Sequence, residues 1–406
     1  MRRVVVTGMG IWSCIGQDLQ IVTESLKQGK SGIEFDSQRV NLGLQSGLVA
    51  NVPKPDLKPL LTRKLRAPMS EDSEYAYMAA RQAFTQAGIT NEYLQQNEVG
   101  VVFGNDGNGH QIEYHTIMEK EHDSMMLGPN ALFRVETSSV TMNMNSIFHL
   151  KGINLTIGSA CASGSHAIGY AKLLIAQGLQ DVILVGGSCG MTICGAAAAD
   201  GLGALSIRNN DPTRASRPFD KDRDGMVPSG GAAALVLEEY EHAKARGATI
   251  LAEICGYGFS SNGLDEISMP SADAEYIAMK RALEDAGLKP EDIDYVNAHA
   301  TSTIVGDIEE AKALARLFAG MKGPMISSTK SMTGHENWMA GASEAVYSIL
   351  MMQNNFVAPN INLEHKIDEA ADLNIVTETV YAPINTVLSN SSGMGGTNSA
   401  LVFRKI

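Results

Sequence analysis

One cysteine of the chain lies where the backbone could make its thiol reactive. Cys161 sits among small residues in segment 158–166, after the apolar run 153–157 and at the start of a helix predicted to end near Gln177. A thiol at a strand-to-helix turn lies at the positive end of the helix dipole, which favours the thiolate and lowers the thiol pKa. The pattern predicts a nucleophile that attacks a carbonyl carbon, and the alternative is an inert buried thiol.

Two histidines and a lysine follow predicted strands farther along the chain. His299 comes after a strand that begins near Ile293, while Lys330 and His335 come after one that begins at Met325. Alternating α/β proteins bind their ligands at the carboxyl ends of strands. A single histidine is usually structural, but two of them, with a lysine and a cysteine at equivalent positions, favour one shared site.

A glycine-rich segment near the end of the chain, 390–398, is a fourth candidate. Its glycines permit tight turns and can expose backbone amides to an anion. A plain turn is the alternative interpretation, because such a loop is a weak signal when taken alone.

The elements that must position these residues alternate between short buried strands and amphipathic helices. Strands are predicted at 4–7, 99–104, 182–187, 233–238, 250–256, 293–298, 325–328 and 400–404, and helices at 74–87, 163–177 and 341–353. This alternation predicts an α/β fold with largely parallel sheets.

The chain also contains a repeated unit. Segments 74–89 and 275–288 both begin with Glu-Tyr, continue as an alanine-rich helix, end at glycine and precede a strand. Chance similarity of two alanine-rich helices is the alternative. The polar segment 239–248 predicts the boundary, so the halves are 1–245, with Cys161, and 246–406, with both histidines and the glycine-rich segment.

Composition excludes several classes of protein. The 406 residues include 32 basic and 45 acidic ones, and a net charge of −13 argues against a nucleic-acid binder. No apolar run approaches the length of a membrane span. Five cysteines without paired spacing argue against a disulfide scaffold or a zinc ribbon, so a reducing cytoplasm is the predicted compartment.

With these motifs in order, the chain resembles the elongating β-ketoacyl-acyl-carrier-protein synthases, which are condensing enzymes of the thiolase superfamily. The resemblance runs from 4–10 to 399–402 and includes 216–220 and 223–225. It implies a thiolase-like duplicated five-layer αβαβα sandwich with two mostly parallel mixed sheets. It also implies a homodimer, with a heterodimer containing a chain-length-factor-like subunit as the alternative.

The resemblance implies a decarboxylative condensation. Cys161 would take an acyl group from a thioester, and malonyl-acyl-carrier protein would lose CO2 and attack that group, giving β-ketoacyl-carrier protein and free carrier. The backbone amides of Cys161 and Met394 would form the oxyanion hole. His299 and His335 would stabilise the enolate, and Lys330 would hold His335. No metal and no bound redox cofactor is needed for this chemistry.

Further positions match supporting residues of the family. Thr301 and Thr303 would hydrogen-bond the phosphopantetheine arm of the carrier. Asp307 and Glu310 would orient Lys330 and the nearby backbone, and Glu344 would be another supporting carboxylate.

A local basic segment matches the family's carrier-docking stretch. Arg63, Lys64 and Arg66 would meet the strongly acidic carrier protein, although the chain itself is acidic. A solvated helix face is the alternative, and Arg208 and Lys120 are weaker candidates.

Several positions depart from the family's usual residues. Ala300 replaces a glycine, which requires that its backbone not be left-handed. Ser392 and Met394 replace the two phenylalanines of a gate loop, and Met226 replaces another phenylalanine. Gly107 stands where some members place a bulky residue that limits the acyl pocket.

These departures suggest an acyl pocket remodelled for an unusual chain, such as a polyene, aryl or polyketide intermediate. Asp106 and Asn108 would add polarity beside that pocket, and the bulky Trp338 follows His335 where small residues are usual. The alternative is a housekeeping fatty-acid synthase in which the substitutions compensate one another.

Two other functions fit the sequence less well. A non-catalytic chain-length partner usually lacks the cysteine, whereas this chain retains Cys161. A degradative thiolase needs a second cysteine near its end, and no cysteine follows Cys255.

Overall fold

The computed structural model describes residues 1–107 and 110–406. In chain order its strands are β1 (Val4–Trp12), β2 (Glu34–Phe35), β3 (Leu48–Val49), β4 (Gly100–Gly104), β5 (Asn154–Ile157), β6 (Val182–Cys189), β7 (Gly231–Glu239), β8 (Ala252–Ser261), β9 (Tyr295–Asn297), β10 (Met325–Ser327), β11 (Phe356–Val357), β12 (Val380–Tyr381), β13 (Thr386–Gly393) and β14 (Thr397–Arg404). Its helices are α1 (Leu19–Gln28), α2 (Ser37–Asn41), α3 (Arg63–Arg66), α4 (Glu71–Ala87), α5 (Asn91–Gln96), α6 (His110–Glu121), α7 (Ala131–Val135), α8 (Ser139–Phe148), α9 (Ser163–Ala176), α10 (Ile193–Gly201), α11 (Tyr240–Ala245), α12 (Ala272–Ala286), α13 (Ile304–Leu317), α14 (Lys330–Thr333) and α15 (Ala340–Asn354).

The large sheet has the strand order β10-β9-β13-β14-β8-β1-β7-β6-β4-β5. It consists of two five-stranded halves, which meet where Val5 and Val6 of β1 pair with Glu253 and Ala252 of β8. Each half contains two parallel and two antiparallel pairings, so the mixed character is confirmed but the parallel share is smaller than predicted. The reason is that β7 is antiparallel to both of its neighbours, β6 and β1, and β14 is antiparallel to both of its neighbours, β13 and β8.

The two halves repeat one topology. Numbered within its own half, each set of five strands has the same spatial order and the same directions. Helices α9 and α15 pack against each other and against strands of both halves, while α4 and α8 cover one half and α12 and α13 cover the other. This arrangement confirms the predicted five-layer αβαβα sandwich.

Close packing of helix on sheet explains the small residues of both repeats. A Cβ atom added to Gly8 of β1 would lie 2.1 Å from the carbonyl oxygen of Ala83 in α4. The equivalent atom on Gly256 of β8 would lie 2.2 Å from the carbonyl oxygen of Ala282 in α12. The alanine-rich segments are therefore equivalent parts of a duplicated fold and not a chance similarity.

Strand β13 is absent from the sequence predictions, which place its second half in a glycine-rich loop. Ser389, Asn390 and Ser391 are buried within β13, and this strand pairs with β14 and β9. Only Met394–Gly396 form the turn that joins β13 to β14. Polar residues occupy this strand because buried carboxyl groups of the site need hydrogen-bond donors.

Helix α11 lies between the last strand of the first half and the first strand of the second. The division into 1–245 and 246–406 stays a prediction. In the described part of the chain, we find no helix with both the length and the apolar character that crossing a membrane requires.

Candidate active site

A tight turn presents Cys161 at the start of α9. The cysteine lies in a single 3₁₀ turn, Ala160–Ala162, and the preceding Ala160 has a left-handed backbone with φ 46°. The backbone amide of Ala160 donates to Oδ2 of Asp106 at 2.6 Å, and the hydroxyl of Ser163 donates to the carbonyl of Ala160 at 2.6 Å. These bonds hold a backbone conformation that is unfavourable for alanine, as is common where a site fixes a reactive side chain.

The thiol of Cys161 lies 3.0 Å from Nε2 of His335. Burial raises the pKa of Cys161 to about 11, while the backbone amide of Met394 and the charge of Lys330 oppose that rise. The predicted lowering of the thiol pKa by the helix dipole is wrong, because desolvation of the thiolate outweighs it. The free chain therefore holds Cys161 as a neutral thiol at neutral pH.

Two neutral imidazoles stand beside this thiol. The rings of His299 and His335 have centroids 5.4 Å apart and are nearly perpendicular, at 87°. Burial, together with the charge of Lys330, lowers the pKa of His335 to about 3 and lowers the pKa of His299 well below its ordinary value. Both rings are therefore uncharged at neutral pH, so that each carries one N–H donor.

Lys330 fixes the tautomer of His299. Its Nζ donates to Nδ1 of His299 at 3.4 Å, and because lysine has donors only, the ring proton of His299 lies on Nε2. The prediction that Lys330 holds His335 is wrong, because α14 turns the lysine side chain towards His299 and Glu344. The carboxylate of Glu344 forms a buried ion pair with Lys330.

The remaining two predicted carboxylates hold backbone segments. Glu310 accepts bonds from the backbone amides of His299 and Ala300 at 2.7 and 2.6 Å, and from Nδ2 of Asn390 at 2.7 Å. Asp307 accepts from the amide of Ser302 at 3.1 Å. Support of the nearby backbone agrees with the prediction, whereas the residue that directly orients the lysine is Glu344.

Ala300, which follows His299 and replaces the family's usual glycine, fits its loop without backbone strain. Ala300 does not have a positive φ, and the left-handed residue of this loop is Ser302, with φ 70°. An alanine therefore fits where the family has glycine.

Met394 lies at the turn between β13 and β14. The turn is shaped by Gly395 and Gly396, whose φ values are 84° and 83°. The amide of Gly395 donates to the carbonyl of Ile267 at 3.2 Å, which ties the turn to loop 262–270. The backbone amide of Met394 interacts with the sulfur of Cys161, so the turn brings a backbone donor to the reacting atom.

A cavity of about 380 Å³ joins these groups. Besides the cysteine and both histidines, its lining includes the predicted substrate-binding residues Thr301, Thr303, Met226, Ser392 and Met394. The structure therefore brings together nearly all of the predicted site.

Gly107 is the exception among the predicted pocket residues. It is absent from the lining of this cavity, and a Cβ atom added to it would lie 2.6 Å from the indole ring of Trp338. Its role in substrate binding stays a prediction. Asn108, the predicted polar neighbour, lies outside the described residues.

The cavity also contains a carboxyl group that the sequence predictions miss. Glu275, on the first turns of α12, is 3% exposed and lines the same cavity as Cys161. It belongs to the internal repeat, but sequence similarity between two helices does not indicate which one faces a cavity.

The predicted docking segment forms the short helix α3. Arg63 and Lys64 are exposed, while Arg66 is half-buried and its Nε donates to the carbonyl of Leu61 at 3.2 Å. The three basic residues lie within one turn, and their role in docking stays a prediction.

Comparison with known proteins gives the same family over both halves. The model of the β-ketoacyl synthase N-terminal domain matches residues 1–243, and that of the C-terminal domain matches residues 251–364. The chain is 42% identical to 3-oxoacyl-[acyl-carrier-protein] synthase 1 of Escherichia coli (strain K12), over 100% of both chains.

Solved structures agree with this match. A β-ketoacyl synthase from Burkholderia phymatum STM815 is 38% identical, with a TM-score of 0.95 and 100% of both chains covered. Another solved structure is AntDE:AntF, a type II polyketide acyl-carrier protein in complex with its ketosynthase. One chain of that structure is 29% identical to this chain, with a TM-score of 0.91 and coverage of 100% of this chain and 99% of that one. On this evidence the chain belongs to the β-ketoacyl synthase family of condensing acyltransferases.

Proposed function

We propose that this β-ketoacyl synthase carries its acyl group on Cys161 and extends it with malonyl-acyl-carrier protein. The observation that supports this most strongly is the convergence of one thiol, two neutral imidazoles and the Met394 amide on a single cavity. A non-catalytic chain-length partner would have no use for that arrangement.

In the loading step, the sulfur of Cys161 attacks the carbonyl carbon of an acyl-carrier thioester. The thiol proton leaves as the new carbon–sulfur bond forms, and it ends on the departing carrier thiol. The Nε2–H group of His335, 3.0 Å from the sulfur, donates a hydrogen bond that stabilises the sulfur as negative charge develops on it. The amides of Cys161 and Met394 stabilise the negative charge on the carbonyl oxygen.

In the condensation step, the thioester oxygen of a malonyl-carrier accepts hydrogen bonds from Nε2 of His299 and Nε2 of His335. Loss of CO2 leaves an enolate, which these two donors stabilise. The enolate carbon attacks the acyl group on Cys161, the carbon–sulfur bond breaks, and the thiol takes up one proton. No residue in this scheme requires a metal or a redox cofactor.

The reaction is tested by mass. The chain is incubated with malonyl-carrier and a panel of saturated, polyunsaturated and aryl acyl-carriers, and all species are measured by intact mass spectrometry. We expect a β-ketoacyl-carrier two carbons longer than the starter. A preference for unsaturated or aryl starters would support the remodelled acyl pocket, and a preference for saturated chains would support the housekeeping role. Absence of any extended product would contradict the proposal.

Carrier docking at α3 gives a separate prediction. The charge reversals Arg63→Glu and Lys64→Glu together are expected to raise the KM for acyl-carrier about tenfold or more, because the carrier is acidic. The rate with small acyl thioesters should not change. Steady-state kinetics with both substrate types measure this.

The matched control is Lys280→Glu, an exposed lysine on α12 far along the chain from α3. It should leave the KM unchanged. An equal loss with carrier-bound and small thioesters would place the effect of the α3 variant in the fold and not in docking.

We propose a homodimer that uses the open edge of β5. This strand ends the large sheet, and α8, which packs against it, also contacts α7. The neighbouring segment exposes Met125, Met126, Leu132 and Phe133 to solvent, a surface that soluble proteins commonly bury in an interface.

Light scattering on the purified chain is expected to give twice the 43.3 kDa of one chain. The double substitution Met126→Asp with Phe133→Asp should lower the measured mass to that of one chain. The control Leu179→Asp, which changes an exposed apolar residue elsewhere, should leave the mass unchanged. A wild-type chain that stays single, and doubles only with a chain-length-factor-like subunit, would contradict the homodimer.

All five cysteines are free thiols, which supports a cytoplasmic location.

A further inference from the structure

The carboxyl group of Glu275 is buried in the cavity wall with one of its two oxygen atoms unpaired. Its Oε2 atom is buried and lacks a hydrogen-bond partner, and no lysine, arginine or histidine within residues 1–107 and 110–406 forms an ion pair with it. Burying a carboxyl group without compensation is costly, so such a group in a cavity wall points to a missing partner.

The internal repeat places the equivalent carboxyl group of the first half beside a lysine and outside the cavity. Glu74 and Glu275 are each the fourth residue of their helices, α4 and α12, and each helix begins after a serine cap. Glu74 lies 3.4 Å from Nζ of Lys54, at the outer surface. Glu275 instead lies in the wall of the cavity that contains Cys161.

The neighbours of Glu275 form a continuous polar wall. The hydroxyl of Ser392 interacts with its carboxyl group by hydrogen bonding. Ser392 pairs across the hairpin with Asn398, and Nδ2 of Asn398 donates to Oδ1 of Asn262 at 2.8 Å. The wall therefore presents polar side chains, whereas other parts of the cavity are lined by Ile267, Met269 and similar apolar residues.

Of the two neighbouring carboxyl groups, Glu275 and Glu310, the hydrogen-bonding pattern favours protonation of Glu275. Its neighbour Glu310 accepts three N–H bonds, which stabilise a negative charge, and Glu275 accepts none of this kind. Burial and the charge of Glu310 raise the pKa of Glu275 well above its ordinary value. Burial and the neighbouring charge therefore favour the protonated form of Glu275, which can donate a hydrogen bond into the cavity.

We propose that the carboxyl group of Glu275 donates a hydrogen bond to an oxygen atom of the bound thioester substrate and thereby determines which substrates are accepted. The inference rests on the proposed function, because it assumes that thioesters enter this cavity. The oxygen atom belongs either to the acyl chain, as a hydroxyl or keto group, or to the amide carbonyl of the carrier arm that lies farther from the sulfur and that N-acetylcysteamine lacks. Both sources supply the same acceptor chemistry.

The test compares Glu275→Ala and Glu275→Gln with the unaltered chain. Each protein receives pairs of acyl-carriers that differ only in one hydroxyl or keto oxygen on the acyl chain. The same acyl groups are also supplied on N-acetylcysteamine, a short thiol that lacks most of the carrier arm. The readout is kcat/KM for loading of Cys161, and thermal unfolding checks that each variant is folded.

We expect Glu275→Ala to lose about 10- to 100-fold in kcat/KM wherever the acceptor oxygen is present. A loss confined to oxygen-bearing acyl groups identifies the acyl chain as the source. A loss with every carrier-bound substrate, but not with N-acetylcysteamine thioesters, identifies the arm. Glu275→Gln should stay near the unaltered rate because its amide still donates, and Glu284→Ala, an exposed glutamate of the same helix, should have no effect.

Two results would overturn the inference. One is an unchanged kcat/KM for every substrate of Glu275→Ala. The other is an equal loss for all substrates, including saturated N-acetylcysteamine thioesters, which would indicate a structural role. If the unaltered chain loads no acyl group from any thioester, the proposed function itself fails, and the role of Glu275 fails with it.

Discussion

Replacing Cys161 by alanine is expected to abolish acyl loading and to lower the rate of condensation by at least about 10⁴-fold. No other described cysteine lies in the lining of the catalytic cavity, so no second thiol can take over the acyl group. The Met394 amide and both imidazoles remain in place, yet without the sulfur there is no covalent intermediate for them to act on. Intact mass after incubation with acyl-carrier measures the loss.

The fold should survive this change, since alanine keeps the Cα geometry of the tight turn. We expect the free energy of unfolding to change by about 1 kcal/mol or less. Cys194→Ala, on α10 and outside the cavity lining, is the matched control and should load normally. Covalent acylation of the Cys161→Ala chain at another residue would contradict the assignment of the nucleophile.

Replacing His299 by alanine is expected to separate the two half-reactions. The sulfur of Cys161 lies 3.0 Å from Nε2 of His335, which this variant keeps, so loading should stay within about tenfold of the unaltered rate. Decarboxylation should fall by about 10²- to 10³-fold, because one of the two donors to the enolate oxygen is lost. Loading is measured by intact mass, and decarboxylation by release of labelled CO2 from malonyl-carrier.

His166→Gln provides the control for this prediction. His166 is on α9, the helix that follows Cys161, but its ring bonds Tyr257 and Thr397 at 2.7 and 2.9 Å and does not line the cavity. Both half-reactions should persist in that variant. If His299→Ala loses loading and decarboxylation equally, His299 acts through the structure of the site and not on the enolate.

The sequence predicts most of the fold because its buried strands are apolar and its helices are amphipathic. β13 escapes prediction for a physical reason. Its buried Asn390 supplies a donor to Glu310, and its Ser392 interacts with Glu275, so the strand is polar where a core strand is usually apolar. Only the positions of the partner carboxylates, on α12 and α13, explain that composition.

The sequence predicts which residues form the candidate site, but it does not predict all of the contacts between them. Lys330 lies five residues before His335, and proximity along the chain suggests a pair. The direction of a side chain from a short helix is set by tertiary packing, which here sends Lys330 to His299 and Glu344. Similarly, the helix position of Cys161 predicts a lowered pKa, whereas the depth of its burial, which depends on the whole fold, raises it.

The most direct test of the account follows one acyl group through Cys161. The chain is loaded with an acyl-carrier, freed from excess carrier, and digested so that peptide masses locate the adduct. A second portion of the loaded chain then receives malonyl-carrier alone. We expect an adduct on Cys161 that disappears while equal amounts of CO2 and of a β-ketoacyl-carrier extended by two carbons are formed. An adduct elsewhere, or one that remains on Cys161 while extended product forms, would contradict it.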